Sequence, residues 1–130
     1  MKDPNPGVFF AWPDNKKGDT ASGIVIRQLS VGARREIDAQ TTEEEIKYID
    51  GQVYERRKMI DADLRFMRIH DYCIVGWTGL MDEEGKEIPC TTDNKVWAMT
   101  ECLAVAGFVA KCMIELAELT VSRAEKTRKN

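Results

Sequence analysis

The sequence predicts an α+β fold, with one or two N-terminal β-hairpins followed by a C-terminal helical part that carries a long apolar helix. Three observations lead there: β-branched and aromatic runs near residues 8–12 and 23–29, an Asp50-Gly51 pair between two further such runs, and a strongly apolar stretch from Val96 to Leu119. The chain has 130 residues, of which 43% are apolar and 32% charged. A chain of this length can bury roughly two thirds of its unfolded surface around one core. No repeat, low-complexity tract or Ser/Gly-rich linker divides it. A single domain over residues 1–130 is expected, with 1–7 and 122–130 as frayed termini.

The run Val8 to Trp12 stops at Pro13, and Gly23 to Leu29 follows a polar segment of loop composition. These two runs should pair as a long-looped antiparallel hairpin. Ser30 can cap a short helix from Val31 to about Asp38, which Gly32 weakens. Between Glu43 and Lys58 the many Glu, Lys and Arg residues favour helix, while Ile46, Tyr48, Ile49, Val53 and Tyr54 suit a strand. Asp50-Gly51 tips the balance, because Gly accepts the positive φ of a type I′ turn and costs about 1 kcal/mol inside a helix. Strands are expected at 45–49 and 52–56, one long charged helix being the alternative.

Asp61 should start the next helix, in which Ala62, Phe66, Ile69, Cys73 and Trp77 recur at helical spacing and form one buried stripe, with Gly76 and Gly79 ending it. From Trp77 to Cys90, two short extended pieces are joined by a polar turn closing on Gly85. Thr91 or Thr92 can cap the main helix, with Asp93 near its positive dipole end. Trp97, Ala104, Phe108 and Cys112 lie along one face of it, and Met99, Leu103, Ala106, Val109, Met113 and Leu116 broaden that face. Such a helix either crosses the core or presents spare apolar surface to another chain. Gly107 is where it should bend or split.

Charge and chemistry narrow the function. Nineteen basic against 22 acidic side chains give a net charge of -3, which supplies no general nucleic-acid footprint. The longest uncharged run of the apolar stretch, Cys102 to Ala110, is under half of a membrane span of ~20 residues. The polar first seven residues carry no secretory signal, which predicts a cytosolic protein. Cys73, Cys90, Cys102 and Cys112 lie 17, 12 and 10 apart, without zinc-ligand pairing, and reduced thiols in apolar surroundings act as small hydrophobes. His70 is the only histidine, so any nucleophilic pair would need it, and a structural role beside Cys73 is the expectation. The acidic loop Asp82 to Glu87 fails as an EF-hand, because Ile88, Pro89 and Cys90 stand where oxygen ligands are required. No catalytic residue, cofactor or metal site is assigned, and a non-enzymatic protein is expected. What remains is Trp97, Met99, Leu103, Phe108, Met113 and Leu116 as a partner-binding set, with core packing as the competing reading.

From Asp71 onward the chain reads Asp71-Tyr72-Cys73-Ile74-Val75-Gly76-Trp77-Thr78-Gly79, then an acidic turn Asp82-Glu83-Glu84-Gly85-Lys86, then Ile88-Pro89-Cys90-Thr91 and a helix opening Asp93-Asn94-Lys95. This order resembles the tail assembly chaperones of long-tailed bacteriophages and their relatives, and the upstream strands, short helix and charged hairpin are similar as well. The resemblance implies a protein of the host cytoplasm that coats the helical tape-measure protein and helps recruit tail-tube proteins, with homo-oligomers allowed and neither nucleic acid nor membrane as partner. The β-structure before Asp61 departs from the bundle-like members. It leaves a second reading open, a structural virion component of the neck or tail connector.

Overall fold

Ile24 and Ile26 lie completely buried at the centre of the molecule, on the middle strand of a three-stranded antiparallel sheet. The computed structural model describes residues 4–15 and 21–129, with side chains through residue 120. Strand β1 (Val8–Ala11) pairs with β2 (Gly23–Ile26), Val8 facing Ile26 and Ala11 facing Gly23, so the expected first hairpin forms. Part of its connecting loop, residues 16–20, lies outside the described residues. The other edge of β2 takes β5 (Ile74–Thr78), giving the order β1-β2-β5.

Strand β5 corrects the expectation for Trp77. Helix α2 (Ala62–Cys73) ends before Ile74, so Trp77 belongs to the sheet and not to the helical stripe. The register slips between Val25 and Ile26: Val25 faces Gly76 while Ile26 faces Ile74, which leaves Val75 as an extra, unmatched residue. In a regular strand, residues three apart point to opposite faces. The bulge resets the alternation, and Ile74 and Trp77 both enter the core while Val75 is exposed. The indole N–H of Trp77 donates to the Ile88 carbonyl at 2.7 Å, and that of Trp12 to the Thr78 carbonyl at 2.7 Å. Each ring therefore buries its apolar body without leaving its donor unpaired.

Helix α1 (Val31–Thr41) starts at Ser30, whose hydroxyl accepts from the Ala33 amide, and runs three residues past the expected end. Asp61 caps α2 through the Leu64 amide, and Thr91 caps α3 (Thr92–Glu101) through the Asn94 amide. The long helix divides at Cys102, not at Gly107: Cys102 leaves helical geometry, and α4 (Leu103–Lys129) continues unbroken through Gly107. The backbone of α4 is helical as far as Lys129. At the other end Asn5 is tied down, its side-chain amide donating to the Gln28 carbonyl at 2.9 Å and the Tyr72 hydroxyl at 3.1 Å.

The core gathers Trp12, Ile24, Ile26, Ile74 and Trp77 from the sheet side and Ala98, Val105, Val109, Cys112 and Leu116 from α3 and α4. Helix α2 lies between α1 and α3, held to α1 by the Arg65 guanidinium on the Asp38 carboxylate.

Strands β3 (Thr42–Ile49) and β4 (Gln52–Met59) form a separate two-stranded ribbon. Asp50 and Gly51 both have positive φ, 51° and 78°, as a two-residue type I′ turn requires. The strand reading of this segment is the correct one, and the ribbon extends several residues beyond the expected ends. Its apolar residues Ile46, Tyr48, Ile49, Val53 and Tyr54 are all exposed.

Candidate functional site

Helix α4 carries two apolar stripes on opposite sides. Val105, Val109, Cys112 and Leu116 are buried in the core. Leu103, Gly107, Ala110, Ile114 and Ala117 are all exposed, Leu103 at 88% and Ile114 at 61%. Each member of the first four exposed positions sits two residues before a buried one, about 200° around the helix. The exposed series advances by alternating steps of four and three, the spacing of a seam between packed helices. Its small members, Gly107, Ala110 and Ala117, permit close approach of a second helix axis, while Leu103 and Ile114 supply knobs. Lys111 and Glu118, both exposed, flank the seam and can form ion pairs with a partner.

A groove of about 630 Å³ opens beside the start of α4, lined in part by Trp12, Leu80, Met81, Ala104 and Phe108. Phe108 leans on Trp12 with ring centroids 5.6 Å apart. Met81 is exposed and joins the apolar surface near Ala104.

The structure divides the six residues nominated by sequence. Trp97 and Leu103 are exposed. Met99, Phe108 and Met113 are half-buried and pack against the core. Leu116 is buried and belongs to the core, so it is unavailable to a partner. Gly107, Ala110, Ile114 and Ala117 were missed as surface positions. Their four-three spacing from Leu103 was the signal, hidden because the opposite stripe has the same spacing.

Other candidate chemistry is taken up by packing. His70 Nδ1 donates to the Phe66 carbonyl at 2.8 Å, and its ring lies 4.2 Å from that of Phe66. Among the described residues no group of three or more His, Cys, Asp or Glu is placed to hold a metal ion. All four cysteines are free thiols; burial pushes the Cys73 and Cys90 thiols up, and burial together with Glu115 pushes Cys112 up to about 11. Thiols so shifted stay protonated and make poor nucleophiles. In the acidic loop, Asp82 Oδ1 accepts from the Glu84 and Lys86 amides, both at 2.9 Å, and so serves its own turn. A polar hollow of about 390 Å³ between α1 and α2 is lined by Arg27, Glu36, Arg68, Asp71 and Tyr72. Arg27 there is stacked over the Tyr72 ring at 3.9 Å and donates to the Tyr72 carbonyl at 2.7 Å.

Among the described residues no helix is long and apolar enough to cross a membrane. Comparison with family models, with curated proteins and with solved structures finds no match to this chain.

Proposed function

We propose that this chain is a helix-binding assembly chaperone, and that the bacteriophage tape-measure protein is its client. The observation that carries the reading is the exposed seam Leu103, Gly107, Ala110, Ile114 and Ala117 on α4. A helix whose second side is spent on the core has no internal use for an outward apolar stripe. An outward stripe at seam spacing fits a helical partner better than an irregular one. A tape-measure chain must expose apolar helical surface before the tail tube encloses it, and covering that surface prevents aggregation while tube subunits are recruited. This client follows from the sequence resemblance; the seam supports it by being the right shape for a helix.

The test is co-expression with the tape-measure protein of the same phage. Leu103→Glu with Ile114→Glu should leave the thermal melt unchanged and abolish co-purification and solubilisation of the client. Retained binding by that double variant would overturn the reading. The second reading, a neck or tail connector component, is favoured by the exposed β3–β4 ribbon, and finding the protein in purified virions would support it.

A further inference from the structure

The β3–β4 ribbon is an unusual element for a chain of this size. Every residue of β4 is exposed, and only Thr42 and Glu45 of β3 are half-buried. Each strand has 8 residues, longer than the usual ~5–6, and a two-stranded ribbon standing alone is marginal in water. Neither outer edge pairs with another strand among the described residues. Proline and bulges, two devices that blunt a free edge, are absent from β3 and β4, and the third, charge, is of opposite sign near the base of the two strands, so it opposes like-edge pairing and favours unlike-edge pairing.

Which backbone groups face outward follows from the register. The Ile60 amide donates to the Thr41 carbonyl at 2.9 Å, so pairing at the base of the ribbon is of the hydrogen-bonded type. Alternate pairs from there to Ile49 and Gln52 at the turn share that type. The intervening residues therefore turn their amides and carbonyls outward: Glu44, Ile46 and Tyr48 on β3, and Val53, Glu55 and Arg57 on β4. These six side chains also share one face of the ribbon.

The two edges differ in charge. Glu43, Glu44 and Glu45 stand in register with Lys58, Arg57 and Arg56, and Arg56 Nε donates to Glu45 at 2.9 Å. One strand thus presents three consecutive acids and the other three consecutive bases. The pairing that closes the ribbon within one chain is equally available between chains. We propose that β4 of one copy adds to β3 of the next copy, so that the chain assembles with itself through a continuous antiparallel sheet made of these ribbons. In that register Arg57 meets Glu44 of the next copy, and the apolar tips set Val53 against Tyr48. Side-by-side arms joined through like edges would instead oppose acid to acid or base to base. The contact is head to tail, and it closes into a ring or continues as a filament according to the rotation between copies. This inference does not rest on the helix-binding reading, because it uses none of the α4 seam.

The full-length chain is tested by sedimentation velocity and by native mass spectrometry of mixtures. Glu55→Pro removes an outward amide without touching a bond inside the ribbon. It should weaken self-association by about tenfold or more, with the thermal melt retained. A second variant exchanges the edges, with Glu43, Glu44 and Glu45 each changed to Arg and Arg56, Arg57 and Lys58 each changed to Glu. It should assemble with itself yet form no hybrids with the wild-type chain, since every mixed contact opposes like charges. A monomeric wild-type chain, assembly that requires another protein, unaltered assembly of folded Glu55→Pro, or hybrids in statistical proportion would each overturn the proposal.

Discussion

Lys95 reaches back from α3 to Asp71 on α2, placing its ammonium 3.2 Å from the Asp71 carboxylate and 3.0 Å from the Asp71 carbonyl. The Thr92 hydroxyl donates to the same carboxylate oxygen at 2.7 Å. Lys95 is only 8% exposed, so this contact is what allows a charged side chain to sit where α2 meets α3. Partial burial pushes the Asp71 carboxyl up, but the hydrogen bonds from Thr92 and Lys95 and the nearby charges of Lys95 and Arg68 outweigh it and hold the group below the ordinary aspartate value.

The two partners should respond unequally to removal. Asp71→Ala leaves a buried ammonium without its counter-charge and should cost about 2–3 kcal/mol, whereas Lys95→Met should stay within about 1 kcal/mol. The depressed Asp71 contributes stability that is complete above the pKa of an unfolded aspartate and is lost as pH falls through its lower folded value. Melting curves from neutral to acid pH should therefore show the gap between wild type and Asp71→Asn closing in that window. A gap constant with pH would refute the linkage.

Trp77→Ala should destabilise the protein by roughly 3–5 kcal/mol, the range for emptying a buried aromatic site. Chemical denaturation of the variant checks it. Deleting Val75 should cost less than that, because removing the extra residue leaves Ile74, Gly76 and Trp77 opposite Ile26, Val25 and Ile24 in regular alternation, with Ile74 and Trp77 still on one face.

Gly23 faces backbone with no room to spare: an added Cβ would lie 2.2 Å from the Phe10 carbonyl oxygen and 2.9 Å from the Ala11 Cα. Gly23→Ala must push β1 away and should cost about 1–3 kcal/mol. Gly32→Ala, in the open and inside α1, should instead stabilise by up to about 1 kcal/mol. Thermal melts of the pair should move in opposite directions.

The two stripes of α4 should separate cleanly on truncation. Leu116→Ala should cost about 2–5 kcal/mol, while Leu103→Ala should stay within about 0.5 kcal/mol. Equal effects would mean that the outward stripe is covered within the chain itself.

Cys112, 1% exposed and with its thiol pushed up to about 11, should resist alkylation at mildly alkaline pH until the protein unfolds. Mass spectrometry after timed labelling gives the rate at each cysteine.

Much of the architecture was legible because it rests on local chemistry. Ser30, Asp61 and Thr91 announce helix starts by hydroxyl or carboxylate, and Asp50-Gly51 announces a turn that few other pairs could make. What could not be read were features decided by distant contacts. Trp77 stands four residues beyond Cys73, a helical step, so the sequence reads it as prolonging α2, and only the pairing of β5 with β2 shows that it belongs to a strand. On α4, two apolar stripes of identical period merged into one broad face, and only the position of the sheet tells which side is inward. Leu116 and Ile114 are chemically alike, and their fates differ by the turn of the helix alone.

The order of the sheet also sets an order in time. Strand β2 meets β1 across the single loop 12–22 but meets β5 only after α1, the ribbon and α2 have been laid down between them. Local hairpins close in microseconds, while a distant strand must wait for a much larger loop to close. Until β5 arrives, one edge of β2 stands open and Ile24 and Ile26 lack Trp77 and Ile74 beside them. During synthesis the nascent chain must therefore carry its most apolar strand with one edge open until residue 78 has emerged, and with its core face uncovered until α4 follows.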